Sequence, residues 1–144
     1  MGLNKIFLDT NIVADIIYTS RPNHNKSMIL LKHLIVNNYE ICISEDMITT
    51  LYYILKDKTT TLGFLEDVVF VDWTILTFEK SILQEAVKLS LKKNVDLEDA
   101  LQCLCAKENG CEILITNDDK FHDCGLSIYK TEEFLNKYSN EVEL

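Results

Sequence analysis

Short apolar runs alternate along this chain with longer stretches whose apolar positions recur every three or four residues. Lys5-Ile6-Phe7-Leu8, ended by Asp9-Thr10-Asn11, reads as a strand whose C-terminal end meets a helix start, because Thr and Asn are good N-caps. Helical spacing continues over residues 12–18 and stops before Arg21-Pro22-Asn23. It resumes over residues 25–36, where Met28, Leu31, Leu34 and Ile35 recur at helical intervals. Ile41-Cys42-Ile43 predicts a second strand, and Ser44 caps a helix over about residues 45–55 with Met47, Ile48, Leu51, Ile54 and Leu55 as its stripe. Thr59-Thr60-Thr61 opens a short helix to Glu66, and the run Val68-Val69-Phe70-Val71 predicts a third, buried strand. Thr77 starts a helix containing Ile82, Leu83, Ala86, Val87 and Leu91. Asp96 starts another over residues 97–108, with Leu97, Leu101, Leu104 and Cys105 on one face. Residues 113–115 predict a strand, 127–129 an edge strand and 131–138 a terminal helix. Strands alternating with helices imply an α/β fold with a central parallel sheet.

With 144 residues, a chain buries roughly two-thirds of its unfolded surface, so a single domain over residues 1–144 is expected without a supporting metal or disulfide. Only four Gly and one Pro argue against a collagen-like chain or a loop-rich sandwich. No apolar run approaches the ~18 residues that a membrane span needs, so no membrane partner is expected. Cys42, Cys103, Cys105, Cys111 and Cys124 are odd in number and lack CxxC spacing. They read as buried, reduced thiols of a cytoplasmic protein.

The formal charge is −9, and Arg21 is the single arginine. That excludes the basic footprint of a protein that tracks duplex DNA. Nucleic acid could still be handled if a divalent cation reversed the charge of an acidic cleft. Open α/β sheets bind ligands beyond the carboxyl ends of their strands, and two strands here end in acid, at Asp9 and at Asp118. Asp99 lies in the first turn of the helix begun by Asp96. Taken singly, each has an ordinary role: Asp9 as a turn former, Asp96 as an N-cap completed by Asp99, Asp118-Asp119 as a polar turn. Jointly, three carboxylates at one sheet edge repel one another unless a cation joins them, and hard oxygen ligands select Mg²⁺ or Mn²⁺.

Leu8-Asp9-Thr10-Asn11, Asp96-Leu97-Glu98-Asp99-Ala100-Leu101 and Leu114-Ile115-Thr116-Asn117-Asp118-Asp119-Lys120-Phe121 resemble, in order and spacing, the three hallmark stretches of the PIN domain family. The resemblance spans about residues 4–130. It implies a three-layer α/β/α sandwich, Mg²⁺- or Mn²⁺-dependent endoribonuclease activity on RNA, and often a toxin role in VapC-like toxin–antitoxin pairs. Asp9, Asp99 and Asp118 would then be catalytic, metal-site carboxylates, supported by Asn11 and Thr116 as orienting residues. An antitoxin protein and a second copy of the chain are the further partners in view. The chain departs from the family's pattern at Thr50, which stands in Thr49-Thr50-Leu51-Tyr52-Tyr53 where the family usually carries an acid. Asp46, one turn earlier on roughly the same face, reads as a first-turn acid favoured by the helix dipole. Activity is therefore expected to be attenuated, and a second reading takes the chain as a non-catalytic PIN module that binds RNA or a protein partner.

Other residues carry weaker signals. His24, His33 and His122 lack ligand-like spacing and read as surface or cap residues, Tyr52 and Tyr53 as core, and Lys107 and Lys120 as solvated charges. A phospho-acceptor receiver domain has similar size and acidic strand ends, but Asp9 is followed by Thr and Asn, and Asp118 stands where a receiver carries lysine.

Overall fold

A computed structural model describes residues 4–138. Five strands, β1 (Lys5–Leu8), β2 (Glu40–Ser44), β3 (Thr74–Leu76), β4 (Ile113–Ile115) and β5 (Ser127–Tyr129), form one parallel sheet in the order β3-β2-β1-β4-β5. In the central strand Ile6, Phe7 and Leu8 are all fully buried, as a strand covered on both faces must be. Phe7 pairs with Cys42 on one side and with Leu114 on the other. Around the sheet run α1 (Thr10–Ile17), α2 (His24–Val36), α3 (Asp46–Ile54), α4 (Lys58–Phe64), α5 (Phe70–Asp72), α6 (Lys80–Lys93), α7 (Leu97–Glu108) and α8 (Thr131–Tyr138). The helices fall into two packing groups: α1 contacts α2, α3 and α4, and α2 contacts α8, while α6 packs on α7. The α/β sandwich with a central parallel sheet is therefore as expected. No helix among the described residues is long and apolar enough to cross a membrane.

Several local expectations are corrected. Residues 68–71 are helical, shared between a π turn at Leu65–Val69 and α5. Val69 is buried but Val71 is 69 % exposed, so the run has one covered face where an interior strand needs two. The Trp73 N–H still donates to the Val69 carbonyl, and extended pairing with β2 begins only at Thr74. Similarly, α6 starts at Lys80 instead of Thr77, because the Phe78 N–H is held by the Glu45 carboxylate at 2.6 Å. Of its expected stripe only Ile82 and Ala86 are buried, and Leu83, Val87 and Leu91 face solvent. Tyr52 and Tyr53 lie off the face of α3 that buries Met47 and Leu51, and Tyr53 is 76 % exposed. Their rings meet edge to face at 5.3 Å, with Lys58 Nζ 4.7 Å from the Tyr52 ring centre. His33 is core instead of surface: it is buried and packs edge-on against the fully buried Phe134 of α8.

The cysteines also differ from expectation. Cys103 of α7 is joined to Cys124, in the segment between β4 and β5, by a disulfide, while Cys42, Cys105 and Cys111 are free and buried. Lys107 Nζ donates to the Cys124 carbonyl at 3.1 Å, so the same segment is fastened twice to α7. A cross-link spanning 21 residues stabilises mainly by restricting the unfolded chain. Cys103→Ser is expected to lower unfolding free energy by about 3 kcal/mol in denaturant titration. Thiol titration of the unfolded chain should count three thiols before reduction and five after.

Candidate active site

From β1 the chain builds β2 and β3 to one side, then returns to place β4 and β5 on the other. The reversal beside β1 opens a crevice at the C-terminal ends of β1 and β4, where α/β sheets bind ligands. Asp9 leaves β1 directly into this crevice, its N–H donating to the Ile115 carbonyl at 3.0 Å. It is itself the N-cap of α1, a role expected of Thr10 or Asn11, because its Oδ1 accepts the Thr10 N–H at 2.7 Å. The Thr116 hydroxyl donates to Oδ2 at 2.8 Å and accepts the Asp118 N–H at 3.1 Å. Thr116 thus ties the two strand ends together through one hydroxyl. Asn11 does not join this network in the same way: it is exposed, and its side-chain oxygen accepts from Arg21 at 3.3 Å.

The third acid arrives on α7. Asp96 caps that helix by accepting the Asp99 N–H at 3.1 Å, which leaves the Asp99 carboxyl to the crevice. Burial pushes the Asp99 carboxyl up to about 7, helped by the neighbouring charges of Asp96, Asp9, Asp118 and Glu98. Asp9, only 8 % exposed, is also raised, by burial first. The bonds from Thr116 and Thr10 oppose that rise, and the charges of Asp118 and Asp46 add to it. Asp9, Asp99 and Asp118 therefore lie within one another's electrostatic reach.

Four further polar residues belong to the same region. Glu98 is exposed along its stem, yet its carboxyl is raised by desolvation, by the charge of Asp46 and by a hydrogen bond shared with Asp46. Asp46 also accepts a short hydrogen bond from the Ser44 hydroxyl, so this acid faces the site from α3. Thr50, at the position where the family usually has an acid, is half-buried, and its hydroxyl donates to the Asp46 carbonyl of its own helix at 3.0 Å. Gln102, buried on α7, donates to the Thr10 hydroxyl at 3.1 Å and lies 3.5 Å from a Glu98 carboxylate oxygen. The one signal for Gln102 was a polar residue inside an apolar helical stretch. The expected α7 stripe hid it, since the buried positions are Ala100, Gln102, Cys103, Cys105 and Ala106 while Leu97 is exposed.

These walls enclose a cleft of about 680 Å³, with Asp96, Glu98 and Asp99 on the α7 side and Asp118, Lys120 and His122 on the other. Among the described residues, no three His, Cys, Asp or Glu side chains form a ready coordination cage. The donor chemistry is nonetheless that of a hard divalent cation: all the site acids offer oxygen, and they repel one another. Mg²⁺ keeps several of its waters and needs only one or two carboxylates plus substrate phosphate, so a preformed cage is not required of its site.

A family model described as PIN domain matches residues 6–125. The chain belongs to the PIN domain family. It is 34 % identical over 143 residues, 96 % of this chain and 99 % of the relative, to a protein of Aquifex aeolicus (strain VF5) named Ribonuclease VapC1. Among solved structures it resembles Mycobacterium tuberculosis VapC20, described as a Sarcin-Ricin loop cleaving toxin. The TM-score is 0.71 at 12 % identity, covering 84 % of this chain and 95 % of that one. It also resembles VapBC2 of Rickettsia felis bound to a DNA fragment from their promoter, with a TM-score of 0.68 at 21 % identity and 88 % and 98 % coverage. At these identities the structural likeness bears on the fold, and the PIN sandwich is the fold expected from the sequence.

The acid cluster sets a pH dependence. Raised carboxyl values mean that the folded chain binds protons more tightly than the unfolded one. Their stabilising contribution is complete near and below the unfolded value and is lost as pH rises through the folded values, between about 4 and about 7 for Asp99. Thermal unfolding in chelator is expected to show a melting temperature that falls across this window. Asp99→Asn should flatten the fall.

Proposed function

We propose that this chain is a VapC-type PIN endoribonuclease, acting as a single domain, that cuts RNA with Mg²⁺ or Mn²⁺ held by Asp9, Asp99 and Asp118. The proposal is supported by the electrostatic coupling of these acids at the β1–β4 crevice, where Asp99 is pushed up to about 7 by burial first and then by the charges of Asp96, Asp9, Asp118 and Glu98. Such repulsion is relieved by a cation. The VapC1 relative, named a ribonuclease and matched along nearly its whole length, supports the same reading.

Bound there, the ion would supply Lewis acidity and offset charge building on a phosphodiester. The chain's own residues do the placing. Thr116 and the Thr10 N–H hold both oxygens of Asp9, so its outward lone pairs keep a fixed aim. Asp96 is occupied as a cap, which frees Asp99. Asp99 holds a proton on its carboxyl over part of the neutral range and releases it as a cation arrives. Lys120 and His122 line the same cleft as the α7 acids and are the proposed contacts for substrate phosphate. With a net charge of −9, the chain repels RNA at long range, and a bound cation would offset that repulsion.

An antitoxin protein is the proposed partner, in line with the toxin–antitoxin complex from Klebsiella pneumoniae, whose fold this chain resembles. The second reading, a non-cutting PIN module, is favoured by one observation: Thr50 brings no carboxylate, and its hydroxyl is bonded within α3. Against it, Asp46 and Glu98 supply acids to the same region.

Incubation of structured RNA with the protein is expected to give cleavage only with Mn²⁺ or Mg²⁺ and none in Asp9→Asn; wild type and Asp9→Asn behaving alike would leave the non-cutting module. Asp96→Ala should cost about 1 kcal/mol of stability, measured by denaturant titration, because it removes an N-cap. Asp99→Asn should weaken Mn²⁺ binding in calorimetry without destabilising the metal-free fold. Thr50→Val should leave Mn²⁺ affinity at the wild-type value, since the hydroxyl it removes is committed to the helix backbone.

A further inference from the structure

Among the described residues, Gln102 is a buried polar side chain whose cost to the fold is visible. It is 1 % exposed, and its Oε1 has no hydrogen-bond partner. A buried acceptor left unsatisfied opposes folding, and an apolar side chain of similar length would avoid that penalty. What the amide does in return is directional. Its NH₂ group donates to Thr10 Oγ1 at 3.1 Å and faces Glu98 Oε2 at 3.5 Å. The carboxylate decides which end of the amide points there, because Oε1 in that place would meet another acceptor. Glu98 and Gln102 stand one turn apart on α7, and Thr10 is the first residue of α1.

Thr10 is also the residue whose N–H holds Asp9 Oδ1, and Asp9 Oδ2 is held by Thr116, which in turn fixes the Asp118 N–H. A continuous hydrogen-bonded path therefore runs from α7 through Gln102 and Thr10 to Asp9, and on through Thr116 to Asp118. The Gln102 link gives α7 a directional bond to α1, which fixes their relative placement more sharply than non-directional packing does.

We propose that Gln102 is a positioning residue that fixes the first turn of α7, with Glu98 and Asp99, relative to Asp9, and so sets the spacing of the carboxylates that hold the divalent cation. This rests on the metal-dependent reading of the site given above. Partners that orient ligands without touching a metal alter its affinity by roughly 10–100-fold when removed.

The test uses the full chain with Mn²⁺ alone as probe. Gln102→Met, Thr10→Val and the double variant are compared with wild type for melting temperature in chelator and for Mn²⁺ dissociation constant by calorimetry and by the electron paramagnetic resonance signal of bound Mn²⁺. The expected result is that Gln102→Met melts at or above the wild-type temperature without metal but binds Mn²⁺ about 10-fold more weakly, with an altered bound-ion spectrum. Thr10→Val cuts the same link from its other end, so it should weaken Mn²⁺ binding too, and the double variant should be little worse than the weaker single one. If Gln102→Met does not fold, Thr10→Val decides by the same measurements.

Wild-type Mn²⁺ affinity and spectrum in Gln102→Met would overturn the positioning role. So would losses that add in the double variant, or a weakened affinity matched by a lowered metal-free melting temperature, since these describe a residue that merely supports the fold. A wild-type chain that binds no Mn²⁺ would overturn the metal reading itself, and the positioning role with it.

Discussion

Asp9 is a charge placed where a charge is hardest to keep, at the end of a central strand whose three preceding side chains are wholly buried. Burial raises its carboxyl, and the structure answers with directed donors instead of with a counter-ion: one backbone N–H from α1 and one hydroxyl from the residue after β4. Those two bonds require α1 to start immediately and β4 to end level with β1. The register Leu8 to Ile115 meets the second requirement. The reversal of strand order, the capping of α1 and the place of Asp118 all follow from accommodating this one carboxylate.

The acids that gather around Asp9 come from separate elements, α3, α7 and the segment after β4, and none is paired with a lysine or arginine by any ion pair described. Elsewhere opposite charges do meet, as Arg21 with the buried Asp15 at 2.7 Å. Negative charge is thus gathered at one sheet edge with no cationic side chain among the described residues paired to Asp9, Asp99 or Asp118, whereas Asp15 has one. In Asp9, Glu98 and Asp99 burial first, and the neighbouring carboxylates after it, oppose the charged form.

Much of this architecture was legible in the sequence. The strands at 5–8, 41–43, 113–115 and 127–129 stand out because short apolar runs are bounded by polar turn residues, and Asp96 announced α7 as a cap does. What misled was apolar content read without its partner surfaces. Val68-Val69-Phe70-Val71 has the composition of a buried strand, but the sheet edge it would need is occupied by Thr74–Leu76, and Phe70 and Val71 remain outside. The α7 stripe holds at Cys105, which is buried, and at Leu101 and Leu104, which pack against the core, but Leu97 is exposed, and the helix also turns its small residues, Ala100, Cys103 and Ala106, inward. Such close approach of α7 is invisible until its neighbours are placed. The disulfide was illegible because its half in α7 and its half in the loop lie 21 residues apart, with no spacing rule to join them.

The pairing of β1 with β4 has a consequence for the order in which the molecule is made. Ile6 waits for Ile113, and Leu8 for Ile115, so β1 lacks one of its neighbours until more than a hundred further residues have been synthesised. Non-local parallel pairing of this kind also forms late in folding, since loop closure must precede contact. The carboxylates follow the same schedule: Asp9 emerges early, but Thr116, which holds its second oxygen, emerges more than a hundred residues later. A nascent or truncated chain ending before that point can present Asp9, Asp46 and Asp99 yet cannot lock the first of them in place. The topology therefore withholds the assembled acid cluster until β4 and Thr116 have emerged.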